Sequence, residues 1–538
     1  MTVTTVSHHS RRRSLLRRAT AWVVASAGDA SASGTLVAGL IAAHVVLWTA
    51  ILTLVKRAQD IHFDVAEAYA WGQQWLLGYG KHPPLSGWVA GIWFRMFPVA
   101  DWATYALAMT VVGFGMWICW LIALRVVDRR RAFLTVVMLA LYPIFNFKGY
   151  KYNADLLQLA TLPLLVLAYL NAFEKRNVVS GLLLGLAAAA ALLTKYWVLT
   201  MIGAIGLTAL LHPQRVQFLR SPAPWVAIGT ALLLLTPHLW WLKQVDFLPL
   251  TYAGDIYEVK SRLQALHSAV GYTNHNAALL LLPVALAALA VWFAPWRSTK
   301  GRWNPLQAAA LNWSRGVNPG VRTSQAIHIW LIQIIVAIGP PLGGIAFAVS
   351  MKTDWGIPLF FLAPLALVAI PALRVPRTVV IWIVAMWLVL TGAILALSPL
   401  IANDEMARSA HTNPAYEARS ELARALTTAW HTRFPSRWPA VAGTVKTADL
   451  MTFYSPDHPT PFTPYEEWSS GLITVDDAMR SGFIGICTKA DWQYGECVAW
   501  MKAHIPNAER LDMTTRRFFH GTPGPVVSWE IYIAPPQR

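Results

Sequence analysis

The sequence predicts a polytopic α-helical membrane protein of about eleven transmembrane helices, with a small α/β domain at its C-terminal end. Three observations carry this. Of 538 residues, 56% are hydrophobic and 13% charged, about half the roughly 25% charge of a soluble domain. Apolar runs long enough to cross a hydrocarbon core of about 30 Å recur through the first 400 residues. Beyond residue 402 the composition turns polar and richer in proline. These features exclude a disordered chain, a coiled coil and a simple cytosolic enzyme. They divide the chain into a basic cytoplasmic N-terminal segment (1–34), a membrane domain (35–400) and a soluble domain (402–538).

The candidate spans are 35–55, 102–124, 132–147, 155–173, 178–194, 196–211, 223–242, 276–295, 327–350, 357–373 and 378–400. Those at 132–147 and 178–211 read as short tilted helices or as re-entrant pairs. Alternate connections hold the basic residues: Arg11–Arg18, Arg125 to Arg131, Lys175 and Arg176, Arg215 and Arg220, the 296–326 loop, and Arg374 with Arg377. They carry 20 Lys and Arg against 3 acids, the whole of the net charge of +17. In a soluble protein that charge would point to nucleic acid. Here it sets the orientation, because cytoplasmic loops concentrate Lys and Arg. The N-terminus is then cytoplasmic, an odd number of spans puts the tail outside, and no nucleic-acid partner is expected. The Arg-rich start precedes only a weak apolar run, so no cleavable leader is expected.

In the tail, 415–432 has helical periodicity, and Phe483–Cys487 and Val526–Ile533 read as strands. Cys487 and Cys497 lie ten residues apart in what becomes an oxidising compartment, where a disulfide is possible. No zinc motif, Gly-rich dinucleotide cradle or phosphate loop is present.

The informative polar residues lie on the outer side. The first outer loop contains Asp64, Glu67, Tyr69 and Trp71, then Lys81-His82-Pro83-Pro84. Residues 64–77 are amphipathic and aromatic, which suits a helix lying in the membrane interface. At i, i+3 the two acids share a helix face. They read either as an N-cap with its capping partner or as a base acting on an acceptor hydroxyl with a neighbouring carboxylate. Lys81 and His82 read as a turn or as an anion site. The second outer connection carries Lys148, Lys151, Asn153 and Asp155. Asp155 either favours the helix dipole or pairs with a buried cation. Lys195 stands alone between two apolar runs and needs a partner at that depth; Asp155 and a lipid phosphate are the two candidates. Lys352 and Asp354 close a later span, where an aromatic-belt anchor is the simpler reading.

These segments resemble the first periplasmic loop and following motifs of bacterial GT-C glycosyltransferases, the group that includes protein O-mannosyltransferases and the aminoarabinose and galacturonic acid transferases of lipid A. The resemblance rests on Asp64-x-x-Glu67-Ala-Tyr69-Ala-Trp71-Gly, on Gly-Tyr-Gly-Lys81-His82-Pro83-Pro84, on Tyr152-Asn153-Ala-Asp155, on Thr194-Lys195-Tyr196, and on the tail stretch Phe453 to Pro459. It implies transfer of a sugar from a polyprenyl-phosphate donor to an envelope acceptor (lipid A, another glycolipid or protein), with inversion. It maps catalysis onto Asp64, or Glu67 as the alternative. It maps donor-phosphate contacts onto Lys81, His82 and Lys195. Asp155, Asn153, Tyr69 and Lys352 are expected to support them. The usual pattern has the two acids adjacent; here two residues separate them, so their roles stay open. No cofactor is required, although a divalent metal near Asp64, Glu67 and His82 is compatible. The competing readings are a lipid-linked substrate transporter or flippase, and an envelope assembly factor.

Overall fold

The computed structural model describes residues 32–259, 261–293, 320–371, 373, 375, 377–466 and 471–537. The basic segment Arg11–Arg18, most of the 296–326 loop and Arg374 lie outside the described residues.

The principal helices are α1 (Ala32–Val55), α2 (Phe63–Gly72), α3 (Leu85–Met96), α4 (Asp101–Val126), α5 (Arg129–Leu141), α6 (Ala154–Lys175), α7 (Val178–Leu192), α8 (Leu199–Leu211), α9 (Pro222–Gln244), α10 (Arg262–Phe293), α11 (Thr323–Ala346) and α12 (Arg377–Ser409). In the tail they are α13 (Arg419–His431), α14 (Val445–Tyr454), α15 (Val475–Ser481) and α16 (Tyr494–His504). Exposed Leu182, Leu183, Leu186, Leu207, Leu232 and Leu233 cover α7 to α9. Water would penalise such a surface, whereas hydrocarbon accepts it.

Among the described residues, seven helices are long and apolar enough to cross a membrane, or eight if the bent pair Arg129–Leu141 and Pro143–Tyr150 counts as one. Full-length helices therefore do not make up the expected eleven. Helices α7 and α8 are apolar but short. The run 357–373 is not a single helix; it folds as a turn at Ile357–Phe360 and a six-residue helix at Ala363–Val368. Pro358 and Pro364 each sit in the first turn of these short segments, the position where proline suits a helix start. The segment still links opposite ends of the bundle. Asp354 before it meets Lys151 at 3.5 Å, and the Leu373 carbonyl accepts from Arg131 Nη2 at 2.6 Å beside the start of α5.

Helix α4 forms the centre and packs on α1 and α6. Small residues allow the approach: a Cβ on Gly113 would strike Val45, and one on Gly115 would strike the Leu159 carbonyl. In membrane helices such close packing replaces the hydrophobic drive that lipid removes.

The tail is an α/β domain. Its five-stranded sheet has the order β2-β1-β3-β7-β4, counting β1 (Ala440–Ala442), β2 (Thr460–Phe462), β3 (Phe483–Thr488), β4 (Glu509–Thr515), β5 (Phe518–Phe519), β6 (Thr522–Pro523) and β7 (Val527–Ala534). β1 runs parallel to β2 and β3, while β7 is antiparallel to β3 and β4. All six residues of β3 are buried, so the strand reads as a continuous apolar run. Helix and strand expectations for 415–432, 483–487 and 526–533 match α13, β3 and β7. Cys487 on β3 is disulfide-bonded to Cys497 on α16, with Cα atoms 5.8 Å apart.

Helix α2 departs from the expectation of an interfacial helix. Every residue from Val65 to Gly72 is buried. It is enclosed between α3 and the tail helix α14. The contact with α3 is backbone to backbone: a Cβ at Gly91 would come within 2.5 Å of the Gly72 carbonyl oxygen. Gly91→Val is therefore expected to separate the two helices, at about 1–3 kcal/mol for overpacking. A lower unfolding midpoint of the purified protein checks this.

Candidate active site

The site is assembled around α2. The chain leaves α1 and is clamped to the tail before α2 begins. The Gln59 amide donates to Tyr416 Oη at 2.7 Å, and the Ile61 amide to Tyr454 Oη at 2.8 Å. Asp60 accepts from the Arg419 backbone at 2.8 Å and is ion-paired with Arg517. Its side chain is 1% exposed.

The N-cap of α2 is His62, whose Nδ1 accepts from the Asp64 amide at 3.2 Å. Asp64 is therefore not the cap, and its carboxylate is available for other work. It accepts from Asn153 Nδ2 at 2.8 Å and lies 3.8 Å from Lys151 and 3.6 Å from His62. Asn153 serves two elements at once, because its Oδ1 caps α6 through the Leu156 amide at 2.9 Å. Burial would raise the Asp64 carboxyl, but His62, Lys151, Asn153 and Lys81 outweigh it and hold Asp64 below the usual carboxylate range. Asp64 is a half-buried anion, fixed by these contacts.

Glu67, one turn on, is ion-paired with Lys81. Burial would lower the Lys81 ammonium; the Glu67 carboxylate outweighs this and raises it, so Lys81 stays charged. Lys81 sits in a tight turn closed by the Tyr79 amide donating to the His82 carbonyl at 2.9 Å. Tyr79 holds the turn against α2 by donating to the Trp71 carbonyl at 2.7 Å and stacking on its ring at 4.8 Å. Burial, with Lys195 and Lys81 nearby, pushes His82 well below its ordinary value. His82 is thus a neutral imidazole in this setting rather than a cation. Lys195, between α7 and α8, donates to Asp155 at 2.6 Å. Of the two partners weighed for that lysine, the carboxylate is the one in place.

Two cavities are lined by some of these groups, though Asp64, His82 and Lys195 are not among their lining residues. The first, about 260 Å³, is lined by Glu67, Trp71, Lys81, Trp241 and the tail residue Asp449 among others. The second, about 370 Å³, is lined by Lys148, Lys151, Asn153, Asp155, Asp354 and Glu405 among others. Asp64 bonds to residues of the second cavity and lies one turn from the first. Lys81 with Glu67 lines the first cavity, and Lys151 with Asp155 lines the second, so acids and cations stand where they can orient an attacking oxygen and stabilise a leaving anion.

Other expected residues sit elsewhere. Tyr69 is packed edge-on against Phe94, Phe453 and His458, joining α2 to the tail. Lys352 is exposed, with its ammonium 4.7 Å from the Tyr257 ring. In the tail motif, Asp457 accepts from the Trp438 amide at 2.8 Å and pairs with His431 at 2.7 Å, so it organises the tail itself. Among the described residues no group of three or more His, Cys, Asp or Glu side chains is arranged to hold a metal ion. Sequence reasoning missed Asp60, Arg517 and Asp449. Each finds its neighbours hundreds of residues away, and nothing local marks it.

This geometry can be set beside known proteins. Residues 81–241 match the family model described as dolichyl-phosphate-mannose-protein mannosyltransferase. The structure of ArnT from Cupriavidus metallidurans bound to undecaprenyl phosphate superposes over 93% of this chain and 98% of its own, with a TM-score of 0.55 at 11% identity. The chain has the fold of the GT-C glycosyltransferases. Two curated relatives share the sequence more closely over a shorter stretch. The lipid A galacturonosyltransferase RgtD of Rhizobium johnstonii is 26% identical over 40% of this chain and 46% of its own length. The lipopolysaccharide core galacturonosyltransferase RgtA of the same organism is 27% identical over 38% and 42%. The match thus spans about half the length of these relatives. In this GT-C fold, the family-model match begins at Lys81 and takes in Lys151, Asn153, Asp155 and Lys195.

Proposed function

We propose that this protein transfers a sugar from a polyprenyl-phosphate donor to a lipid acceptor of the lipid A or lipopolysaccharide class. In this reading the reaction takes place on the periplasmic face of the bacterial inner membrane. The observation that carries the reading is Asp64: a half-buried carboxylate that accepts from Asn153 and lies 3.8 Å from Lys151, one turn from the residue Glu67 that lines the first cavity and bonded to the residue Asn153 that lines the second. The ion pair of Asp60 with Arg517 joins the first loop to the tail, which supports a common side of the bilayer for both. The basic connections support a cytoplasmic placement for the opposite side.

The acceptor oxygen attacks the anomeric carbon opposite the lipid phosphate, and the configuration inverts. The bond to the donor phosphate breaks as the new glycosidic bond forms. Asp64 orients the acceptor hydroxyl and takes its proton as the bond forms. A carboxylate this stable is a weak base toward a resting hydroxyl, but the hydroxyl becomes acidic as its oxygen bonds to carbon. Lys195 and Lys81 supply positive charge to the departing phosphate. His82, as a neutral imidazole, offers it a hydrogen bond. The donor lipid carries its own activated bond, so no nucleotide enters.

The two galacturonosyltransferase relatives make galacturonic acid the first sugar to test. Deleting the gene in the source bacterium is expected to remove one sugar's mass from an envelope lipid, and wild-type copies to restore it. An unchanged envelope lipid profile would contradict the proposal.

A further inference from the structure

Asp449 belongs to the soluble domain, yet it lines the first-loop cavity. It is 6% exposed. Its carboxyl has no hydrogen-bond partner among the described residues, whereas its neighbours on α14 are spent within the protein: Thr447 accepts from Arg419 Nε, and Thr452 donates to the Pro459 carbonyl. A buried carboxyl without a partner is costly unless a ligand satisfies it.

The remaining wall specifies the ligand. Trp71, Tyr79 and Trp241 present aromatic surface, and polar groups are few: the Glu67–Lys81 pair and Thr463. Apolar walls with a few convergent polar groups are the usual form of a small-molecule site. The volume of about 260 Å³ falls just below the roughly 300–1,000 Å³ of drug-sized sites. That suits one monosaccharide, whose C–H faces lie on rings while its hydroxyl edge needs hydrogen bonds.

We propose that Asp449 is a sugar-binding residue, supplied by the tail, that donates a hydrogen bond to an oxygen of the transferred sugar within the first-loop cavity. The inference rests on the glycosyltransferase reading and adds to it the pocket that holds the sugar. Burial and the Glu67 carboxylate nearby push Asp449 well above its ordinary value, so it keeps its proton and acts as a donor. A neutral carboxylic acid held this way donates as an amide would. The tail is then part of the specificity pocket rather than a cap over it.

The test compares binding of undecaprenyl phosphate with binding of the same lipid carrying galacturonate or a neutral hexose. The full-length protein is used in lipid nanodiscs. Wild type is expected to bind at least one sugar-bearing lipid more tightly than the bare lipid. Asp449→Ala is expected to lose about tenfold of that gain and to bind bare lipid as wild type does. Asp449→Asn, which keeps shape and donor, is expected to retain the gain. Trp241→Leu, which lines the same cavity from the membrane domain, is expected to lose part of it while leaving the tail untouched. Asp449→Ala that keeps the full gain overturns the inference, and Asp449→Asn as weak as Asp449→Ala overturns the donor role. Wild type that binds bare lipid but gains nothing from the sugar contradicts this inference alone. Wild type that binds neither contradicts the proposed function as well.

Discussion

Asp64→Asn is expected to lower the turnover of sugar transfer by about 10²–10⁴-fold, the usual worth of a positioned acid–base group, with donor binding unchanged. The substitution keeps shape and most hydrogen-bonding capacity, so the loss isolates the charge. Asn153 Nδ2 still has an oxygen to meet at 2.8 Å, and the fold around α2 should survive. Measured kcat falling with KM steady is the expected signature. Transfer at the wild-type rate would remove Asp64 from the chemistry and move the role to Glu67. A pH dependence accompanies this. Asp64 titrates below its ordinary 3.8 because His62, Lys151, Asn153 and Lys81 outweigh burial. Its contribution to both rate and stability is present above that value and is lost only as pH falls through the lower, folded one. Any acid limb in the rate profile between pH 5 and 6 therefore belongs to another group.

The second large effect concerns the clamp. Asp60→Ala takes from the Arg517 guanidinium, 13% exposed, its nearer carboxylate and leaves it the more distant Glu421 at 3.9 Å. Breaking a buried ion pair from one side costs about 3–5 kcal/mol. The Arg419 backbone amide loses its acceptor at the same time. The tail should loosen from the first loop, uncovering α2 and the first cavity, and both the unfolding midpoint and transfer should drop. Protease cleavage near residue 410 should accelerate. Replacing both partners with apolar residues, Asp60→Leu with Arg517→Met, should recover much of the stability, because no buried charge is then stranded. A double variant as unstable as Asp60→Ala would show that the charge pair is not what holds the interface.

How much of this was readable beforehand differs from residue to residue. The long helices were legible because bilayer thickness imposes a length on any apolar run. The Lys195–Asp155 pair was legible for a related reason: a lone lysine between apolar runs demands a partner, and Asp155 was one of two named. The break in 357–373 was not legible, because prolines also sit inside the long helices, at Pro163, Pro237, Pro283 and Pro399, and proline alone does not mark where a helix ends. The burial of α2 was hidden because its covering surface, α14, begins at Val445. The same distance hid Asp449 and Arg517. The charge of His82 was not legible in the sequence, because it depends on burial and on Lys195, more than a hundred residues away, which with Lys81 keeps it neutral.

The central claim is sugar transfer from a lipid phosphate, and reconstitution tests it most directly. Purified protein in nanodiscs would be given polyprenyl-phosphate galacturonate or the corresponding aminoarabinose and hexose lipids, together with lipid A, and the products resolved by mass and by anomeric configuration. The account predicts one added sugar on lipid A, inverted relative to the donor, with free polyprenyl phosphate released in equal amount. An unmodified acceptor with every donor, while the donor lipid is moved intact across the bilayer, would contradict it.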